Sequence, residues 1–374
     1  ARALVAATAL AAGFAGAGHA QAPAPPRTPV ADAARPRTTA SDTSRPRRYP
    51  LGNPDYWSFY LVPYPSYNAL EGLGLFLVGG WRKSSPPGPI PVGISIEPSA
   101  QISTSGTRGA QLVFDQQGRW KGWRLLLMAG SLREQRAPYF GLGNRSAIVD
   151  SLDRAYGEAY NTYALLRTTA LAAVRRRVAG PLHVQAGVQW RHYRAQALPN
   201  RHSHLGDDLA GGVPLDTGAS NGLELRAALL FDTRDEEASP ARGVFVEALF
   251  ARGLKGAGDF AYTRYGLGLR EFVPLTEFTT LALRQSVELS DGTLPFYVAD
   301  ERMTSWRPED GFGGVTSLRA HLPGRFTAPN KALVSADLRY RNWDFLMTPT
   351  TPIRLWFLVF ADVGRVWNSG ETFA

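Results

Sequence analysis

The 374-residue sequence contains no cysteine, and beyond its N-terminal segment it has no apolar run long enough for a transmembrane helix. Without cysteine no disulfide can form, which excludes a small exported protein held together by disulfides. A membrane-spanning helix needs about 20 apolar residues in succession. A protein that crosses a membrane with helices is therefore also excluded, whereas the hydrophobic content of 44% and the aromatic content of 11% are those of an ordered chain.

Acidic residues are fewer than basic ones, with 32 Asp and Glu against 41 Lys and Arg and a formal net charge of +9. Many of the arginines lie in a linker or on the polar side of alternating segments, so nucleic acid is not an expected partner. Lipopolysaccharide or another anionic membrane surface fits this charge better.

The first 53 residues form two segments of different composition. Residues 1–20 join Arg2 to an Ala-rich apolar run that ends in Gly18-His19-Ala20, which predicts an export signal peptide cleaved after Ala20. Residues 21–53 are rich in Pro, Arg, Ala, Thr and Ser, and this composition predicts a disordered linker. Residues 54–374 are expected to form the folded domain.

Apolar and polar side chains alternate strictly from Leu182 to Arg194. A period of two places successive side chains on opposite faces of a β-sheet. The pattern recurs about a dozen times, and most repeats exceed the roughly five or six residues of soluble strands, whereas a tilted strand needs about 9 to 11 residues to cross a bilayer. The predicted strands are 57–62, 67–79, 91–104, 109–117, 120–133, 159–176, 181–195, 221–232, 243–253, 260–272, 276–289, 331–342 and 352–367.

The two faces of these segments carry different chemistry. On one segment Tyr265, Leu267 and Leu269 alternate with a polar set that includes Arg264 and Arg270. An apolar belt facing lipid around a wet interior has this distribution. The sequence therefore predicts an all-β fold, a transmembrane antiparallel up-and-down β-barrel.

Long and short connections alternate along the second half of the chain, as in outer-membrane barrels with short periplasmic turns and longer outer loops. This orientation makes the linker periplasmic and leaves the last strand ending outside the cell, and an unpaired strand edge is not tolerated in hydrocarbon. We therefore expect roughly 16 strands in the full protein, about 13 of them here, and a C-terminally truncated sequence. The long connections are near 134–158, 196–220 and 290–330, and the short ones near 177–180, 233–242, 273–275 and 343–351.

Four motifs go beyond a general barrel. They are Asp232-Thr233-Arg234-Asp235 with Pro240-Ala241-Arg242-Gly243, the segment GFGGVTSLRAH at 311–321, NKALVSADLR at 330–339, and FADVGRVW at 360–367. In this order they resemble the bacterial surface antigen family, the BamA/TamA-like outer-membrane barrels, over roughly residues 55–374. A further segment at 139–144, YFGLGN, resembles an outer loop of short members that lack periplasmic polypeptide-binding domains.

The resemblance implies a role for the first motif. It is similar to a periplasmic hairpin of the family, in which Asp232, Arg234, Asp235, Pro240 and Gly243 are the motif residues.

The resemblance also implies that the long loop at 290–330 folds back into the lumen and that Arg319 is its arginine, with Asp337 and Asp362 as acidic partners. The two aspartates are on inward positions of adjacent predicted strands, where an arginine forms charge-assisted hydrogen bonds. We expect a structural clamp between loop and wall. Ala320 and His321 depart from the family pattern. The alternative is charge pairing within the wall and a loop that only covers the pore.

No residues point to catalysis, a cofactor or a metal. His202 and His204, near Asp207 and Asp208 in a predicted outer loop, are the best metal candidates, but their spacing in a glycine-containing loop is a weak signal. Neither a Gly-x-Ser-x-Gly sequence nor a phosphate-binding glycine loop is present. We expect a non-enzymatic protein with no cofactor.

The resemblance implies a part in outer-membrane protein assembly or polypeptide translocation. Its expected partners are outer-membrane lipid and lipopolysaccharide, client polypeptides and a separate periplasmic protein. The alternative is a passive pore or surface protein for small solutes, plugged by its long loop. A barrel enzyme of lipid hydrolysis is a third class without supporting residues.

Overall fold

The computed structural model describes residues 57–68, 71–84, 92–120, 122–144, 146, 150–199, 201–348 and 351–371. The predicted signal peptide at 1–20 and the linker at 21–53 lie outside these residues. None of the helices within the described ranges is long and apolar enough to span a membrane.

Thirteen strands form one antiparallel sheet in which each strand pairs with the next along the chain. This order confirms the predicted all-β, up-and-down architecture. Within the described ranges the first and last strands of the sheet are not paired with each other. The strands are β1 (Trp57–Asn68), β2 (Gly72–Ser84), β3 (Val92–Ser103), β4 (Arg108–Trp120), β5 (Trp123–Pro138), β6 (Thr162–Ala179), β7 (Leu182–Gln196), β8 (Gly218–Asp232), β9 (Gly243–Gly253), β10 (Tyr262–Pro274), β11 (Thr279–Gly292), β14 (Asn330–Thr348) and β15 (Thr351–Trp367).

The remaining elements are short and lie in three connections. The β5–β6 connection contains helix α1 (Asp150–Tyr156) and the 3-10 turn Glu158–Asn161, and the β7–β8 connection contains α2 (His204–Ala210). Residues 293–329, here called the inner loop, connect β11 to β14. The inner loop contains α3 (Phe296–Ala299) and the two-residue strands β12 (Glu301–Arg302) and β13 (Glu309–Asp310), which pair with each other.

Several predicted strand boundaries were wrong by a few residues, and two of these errors fall at turns. The predicted strand 67–79 crosses a turn, because β1 continues to Asn68 and β2 begins only at Gly72, whose φ of 71° is a left-handed conformation. The predicted strand 159–176 begins too early, since Glu158–Asn161 forms the 3-10 turn before β6. The prediction for 243–253 matches β9 at both ends.

The sheet has an apolar outer face and a polar inner face. On β7, Val184, Val188 and Trp190 are exposed, whereas Gln189 and Arg191 on the other face are 1% and 2% exposed. This division agrees with the predicted lipid belt and polar interior. Gln189 and Arg191 are buried because the inner loop covers the inner face of the sheet at their level.

Candidate functional site

The site is the set of contacts between the inner loop and the inner face of the sheet, here called the wall. It begins with α3, where Phe296, Tyr297, Val298 and Ala299 are all buried. Tyr297 packs against Tyr193 of β7 with ring centroids 4.4 Å apart, and Phe296 packs edge-to-face on Tyr139. Burial of these rings fixes the first turn of the loop against β7 and the β5–β6 connection.

Glu301, two residues after the end of α3, joins three strands of the wall, β7, β10 and β14. Its carboxylate accepts hydrogen bonds from Tyr193 Oη and from Arg191, whose Nη2 is 3.0 Å away. Its backbone oxygen accepts from Arg264 Nη2 at 2.8 Å and from Lys331 Nζ at 2.9 Å. Since the five residues are all at most 5% exposed, the contacts are shielded from water and geometrically constrained.

The wall also binds the backbone that follows Glu301. The Glu288 carboxylate accepts from the amide of Met303 at 2.9 Å, and the Glu247 carboxylate accepts from the amide of Ser305 at 2.9 Å. Wall side chains thus take the place of a β-ladder for a segment that has no neighbouring strand to pair with.

Trp306 connects the inner loop to the start of β5. The Arg124 guanidinium of β5 lies 3.9 Å from the centre of the Trp306 ring and forms a two-point ion pair with Asp115. The remaining Nη1 of Arg124 donates to both carboxylate oxygens of Glu237, each at 2.9 Å. Glu237 belongs to the connection between β8 and β9, so a stacked and fully paired arginine couples that turn to the loop.

The structure brings Arg319, Asp337 and Asp362 together. Arg319 Nη2 lies 2.7 Å from Asp337 Oδ1 and 2.6 Å from Asp362 Oδ1, and its Nε is 2.8 Å from Asp362 Oδ2. The backbone amide of Arg319 donates to the same Asp362 carboxylate at 3.0 Å, and Phe360 stacks on the guanidinium at 3.9 Å. These hydrogen bonds raise the pKa of the Arg319 guanidinium, so it stays charged. Ala320 and His321 do not prevent the contact, because it uses the backbone and side chain of Arg319 alone.

The hairpin motif residues lie in the β8–β9 connection and at the strand ends that flank it. Arg234 bonds Asp232 through Nε at 2.9 Å and Nη2 at 2.7 Å, and Asp235 accepts from the amides of Glu236 and Ala241, each at 3.0 Å. Gly243 has a φ of 106°, and a Cβ there would lie 2.4 Å from the oxygen of Thr233. Pro240 is buried in the same connection.

The histidines that were metal candidates take part in packing of the outer connections. His202 Nε2 is 3.1 Å from Asp207, and His204 stacks on Tyr160 with the ring planes 10° apart. Tyr160 Oη donates to Asp207 at 2.8 Å; burial and this hydrogen bond raise the pKa of Tyr160 to about 12. Within the described residues no group of three metal-ligating side chains has the geometry of a metal site.

Sequence reasoning missed Glu301, Trp306, Arg124 and Glu237. Arg124 and Arg191 had a usable signal, because charged residues on inward positions of long strands need partners. Glu301 and Trp306 had none, since the inner loop lacks a periodic pattern.

A family match and one solved structure agree with this architecture. The Omp85 superfamily domain matches residues 136–374. BamA from Haemophilus ducreyi lacking POTRA domains 1-3 is 15% identical with a TM-score of 0.51, over 84% of this chain and 58% of that chain. CdiB from Acinetobacter baumannii is 13% identical with a TM-score of 0.46, over 85% of this chain and 51% of that one.

This chain therefore spans little more than half the length of these solved relatives. No curated protein matches the sequence. The family match confirms the resemblance of the four motifs to the BamA/TamA-like barrels. The chain belongs to the Omp85 superfamily and is an outer-membrane β-barrel protein of Gram-negative type.

Proposed function

We propose that this barrel inserts or translocates client polypeptides at the outer membrane and that it has no enzymatic chemistry of its own. The observation that supports the proposal is the attachment of the inner loop through Arg319. One guanidinium bonds carboxylates on two adjacent strands, β14 and β15, so the loop is held by a contact that can open without breaking the sheet. The part of the loop around Arg319 can then move away from the wall beside a passing segment and return, while the contacts of Glu301 keep the rest of the loop in place.

The clamp role of Arg319 gives a prediction for the loop. Arg319→Ala leaves Asp337 and Asp362 without their shared partner, at a cost on the order of 2 to 4 kcal/mol. Arg319→Lys keeps the charge but lacks the planar fork that reaches both carboxylates, so its effect is intermediate. Limited proteolysis of the folded, full-length protein measures how firmly the inner loop is attached, and we expect faster cleavage of the loop in Arg319→Ala. Equal cleavage of Arg319→Ala and wild type contradicts the clamp.

A reconstituted assay tests the function. Full-length protein in liposomes is mixed with an unfolded outer-membrane client, and insertion of the client is followed by its electrophoretic shift on folding. We expect the client to insert faster into liposomes that contain the protein than into empty liposomes. In Arg319→Ala, this acceleration should be severalfold smaller. Insertion at the rate of empty liposomes contradicts it.

A passive pore for small solutes is the second candidate. The polar inner face favours it, because the inward side chains include polar groups such as Gln185 and Arg175, which contact Ser305 of the inner loop. This candidate is supported over the first if the full-length protein conducts ions in planar bilayers and Arg319→Ala increases that conductance. The same substitution should then have no effect on client insertion.

Two further partners belong to the proposal. Lipopolysaccharide is an anionic lipid that complements the net charge of +9. A separate periplasmic protein is a second partner, and the turns at the β8–β9 end of the sheet are the surface that it would meet.

A further inference from the structure

A cavity of about 340 Å³ lies between the inner loop and the wall, on the same side as the β8–β9 connection. Its lining joins apolar surface to a concentration of positive charge. Val315 of the inner loop is 90% exposed there, and Phe272 and Ala282 provide further apolar lining. The five arginines that line it are Arg234, Arg270, Arg284, Arg319 and Arg339.

Four of these arginines are paired with carboxylates. Arg234 pairs with Asp232 at 2.7 Å and Arg270 with Glu247 at 3.5 Å. Arg319 and Arg339 share Asp337, at 2.7 Å and 3.0 Å.

The other two acidic residues of the lining are also engaged. Glu237 pairs with Arg124 at 2.9 Å, and Glu309 pairs with Arg302. The carboxylates around the cavity are therefore already committed to other cations.

Arg284 of β11 is the exception. Among the described residues it forms no ion pair, and its one side-chain hydrogen bond is from Nη2 to the backbone oxygen of Thr316. Its Nε is buried and has no hydrogen-bond partner. A buried guanidinium nitrogen that lacks an acceptor is unfavourable, and a bound carboxylate would relieve this cost with a charge-assisted hydrogen bond.

We propose that this cavity binds a carboxylate carried by a polypeptide segment, with Arg284 as its anchor and the exposed Val315 as an apolar contact beside it. The proposal rests on the proposed function, since a client polypeptide supplies the ligand. The cavity volume accommodates one acidic side chain or one chain terminus with a neighbouring apolar group, and it is too small for a folded partner.

Binding of short fluorescent peptides to the detergent-solubilised full-length protein tests the proposal. One peptide carries a single Asp beside a Leu, the second has Asn in place of Asp, and both have an amidated C-terminus; a third has the Asn sequence with a free C-terminus. We expect the Asp peptide to bind at least tenfold more tightly than the amidated Asn peptide, and Arg284→Gln to abolish this difference. Tighter binding of the third peptide instead, with the same dependence on Arg284, identifies a chain terminus as the ligand.

Arg177→Gln is the matched control, because Arg177 is an exposed arginine on β6 outside the cavity and its loss changes net charge equally. We expect this variant to bind like wild type. Arg284→Lys should restore part of the preference for a carboxylate. Heat-dependent electrophoretic mobility checks that each variant is folded.

Equal binding of all three peptides overturns the proposal, and so does an Arg284→Gln variant that keeps the preference. Displacement of the Asp peptide by inorganic phosphate at the same concentration also overturns it, because the site then binds free anions. Peptide binding that persists when client insertion fails in liposomes contradicts the proposed function and leaves the carboxylate site standing.

Discussion

Asp300 is an ionisable residue of the inner loop whose surroundings oppose its charge. It follows α3, and the hydroxyl of Thr327 donates to its Oδ1 at 3.2 Å. Burial raises the pKa of the Asp300 carboxyl to about 6; the nearby Asp310 acts in the same direction, whereas Lys331 and Arg167 oppose the rise. The protonated form therefore persists to a higher pH in the folded loop than in an unfolded chain.

This raised pKa predicts that the attachment of the loop depends on pH. An acid with a higher pKa in the folded state contributes stability below its ordinary pKa of 3.8, and this contribution is lost as pH rises through about 6. The change is on the order of 1 to 3 kcal/mol, reduced because Asp300 is partly accessible to water. Hydrogen exchange of residues 296–306, corrected for intrinsic rates, should show weaker protection at pH 7 than at pH 4.

Asp300→Asn provides the control for that dependence. The amide has a similar shape and no charge in this range, so we expect protection of the loop that changes little between pH 4 and pH 7. A wild-type profile that is already flat, or a variant that retains the full pH dependence, contradicts the role of Asp300.

At the scale of elements, the β8–β9 connection and the inner loop are joined through Arg124. Glu237 comes from the connection, Trp306 from the loop and Asp115 from β4, and all three contact one guanidinium. A change in the turn therefore reaches the loop without passing through the strands between them. Any protein that bound this turn would have a direct physical route to the inner loop.

Glu237→Gln tests this connection between elements. The variant keeps a hydrogen-bond acceptor but loses the charge, and Arg124 retains Asp115, so we expect a loss on the order of 1 kcal/mol in the attachment of the loop. Faster hydrogen exchange at residues 303–307 is the expected result. Glu236→Gln, which changes a neighbour in the same connection, should leave that exchange at the wild-type rate. Equal effects of the two variants contradict a specific coupling through Arg124, because the loss of any negative charge in the turn would then explain the result.

The elements also differ in how far the sequence predicts them. β9 was predicted to the residue because its alternation is local, and the Asp232–Arg234 contact spans only two positions. The contact between Arg191 and Glu301 joins residues 110 positions apart, and nothing near either residue indicates the other. Arg319 lies between these cases, since its partners were inferred from a resemblance of motifs and not from periodicity.

At the scale of the whole molecule, charge and apolar surface are separated by the sheet. The inner side contains ion pairs with little access to water, such as Arg264 with Glu288 at 3.1 Å, whereas the outer side exposes Leu225, Leu267 and Val334. Buried ion pairs contribute little net stability but strongly penalise the loss of one partner. The interior therefore specifies where the inner loop lies, while the outer face determines that the sheet resides in lipid.

Two arginine substitutions at different depths test the orientation of the whole sheet. Val188 lies near the middle of β7 and Val178 near the turn end of β6, and both are exposed on the outer face. An arginine facing lipid costs about 2 to 4 kcal/mol at the bilayer midplane and about 0 to 1 kcal/mol near the interface. The measurement is urea-dependent folding of the full-length protein into phospholipid vesicles. Val188→Arg should therefore destabilise the folded protein much more than Val178→Arg. Equal costs for the two variants contradict the membrane depth assigned to these strands, because a water-exposed face gives no dependence on position along the strand.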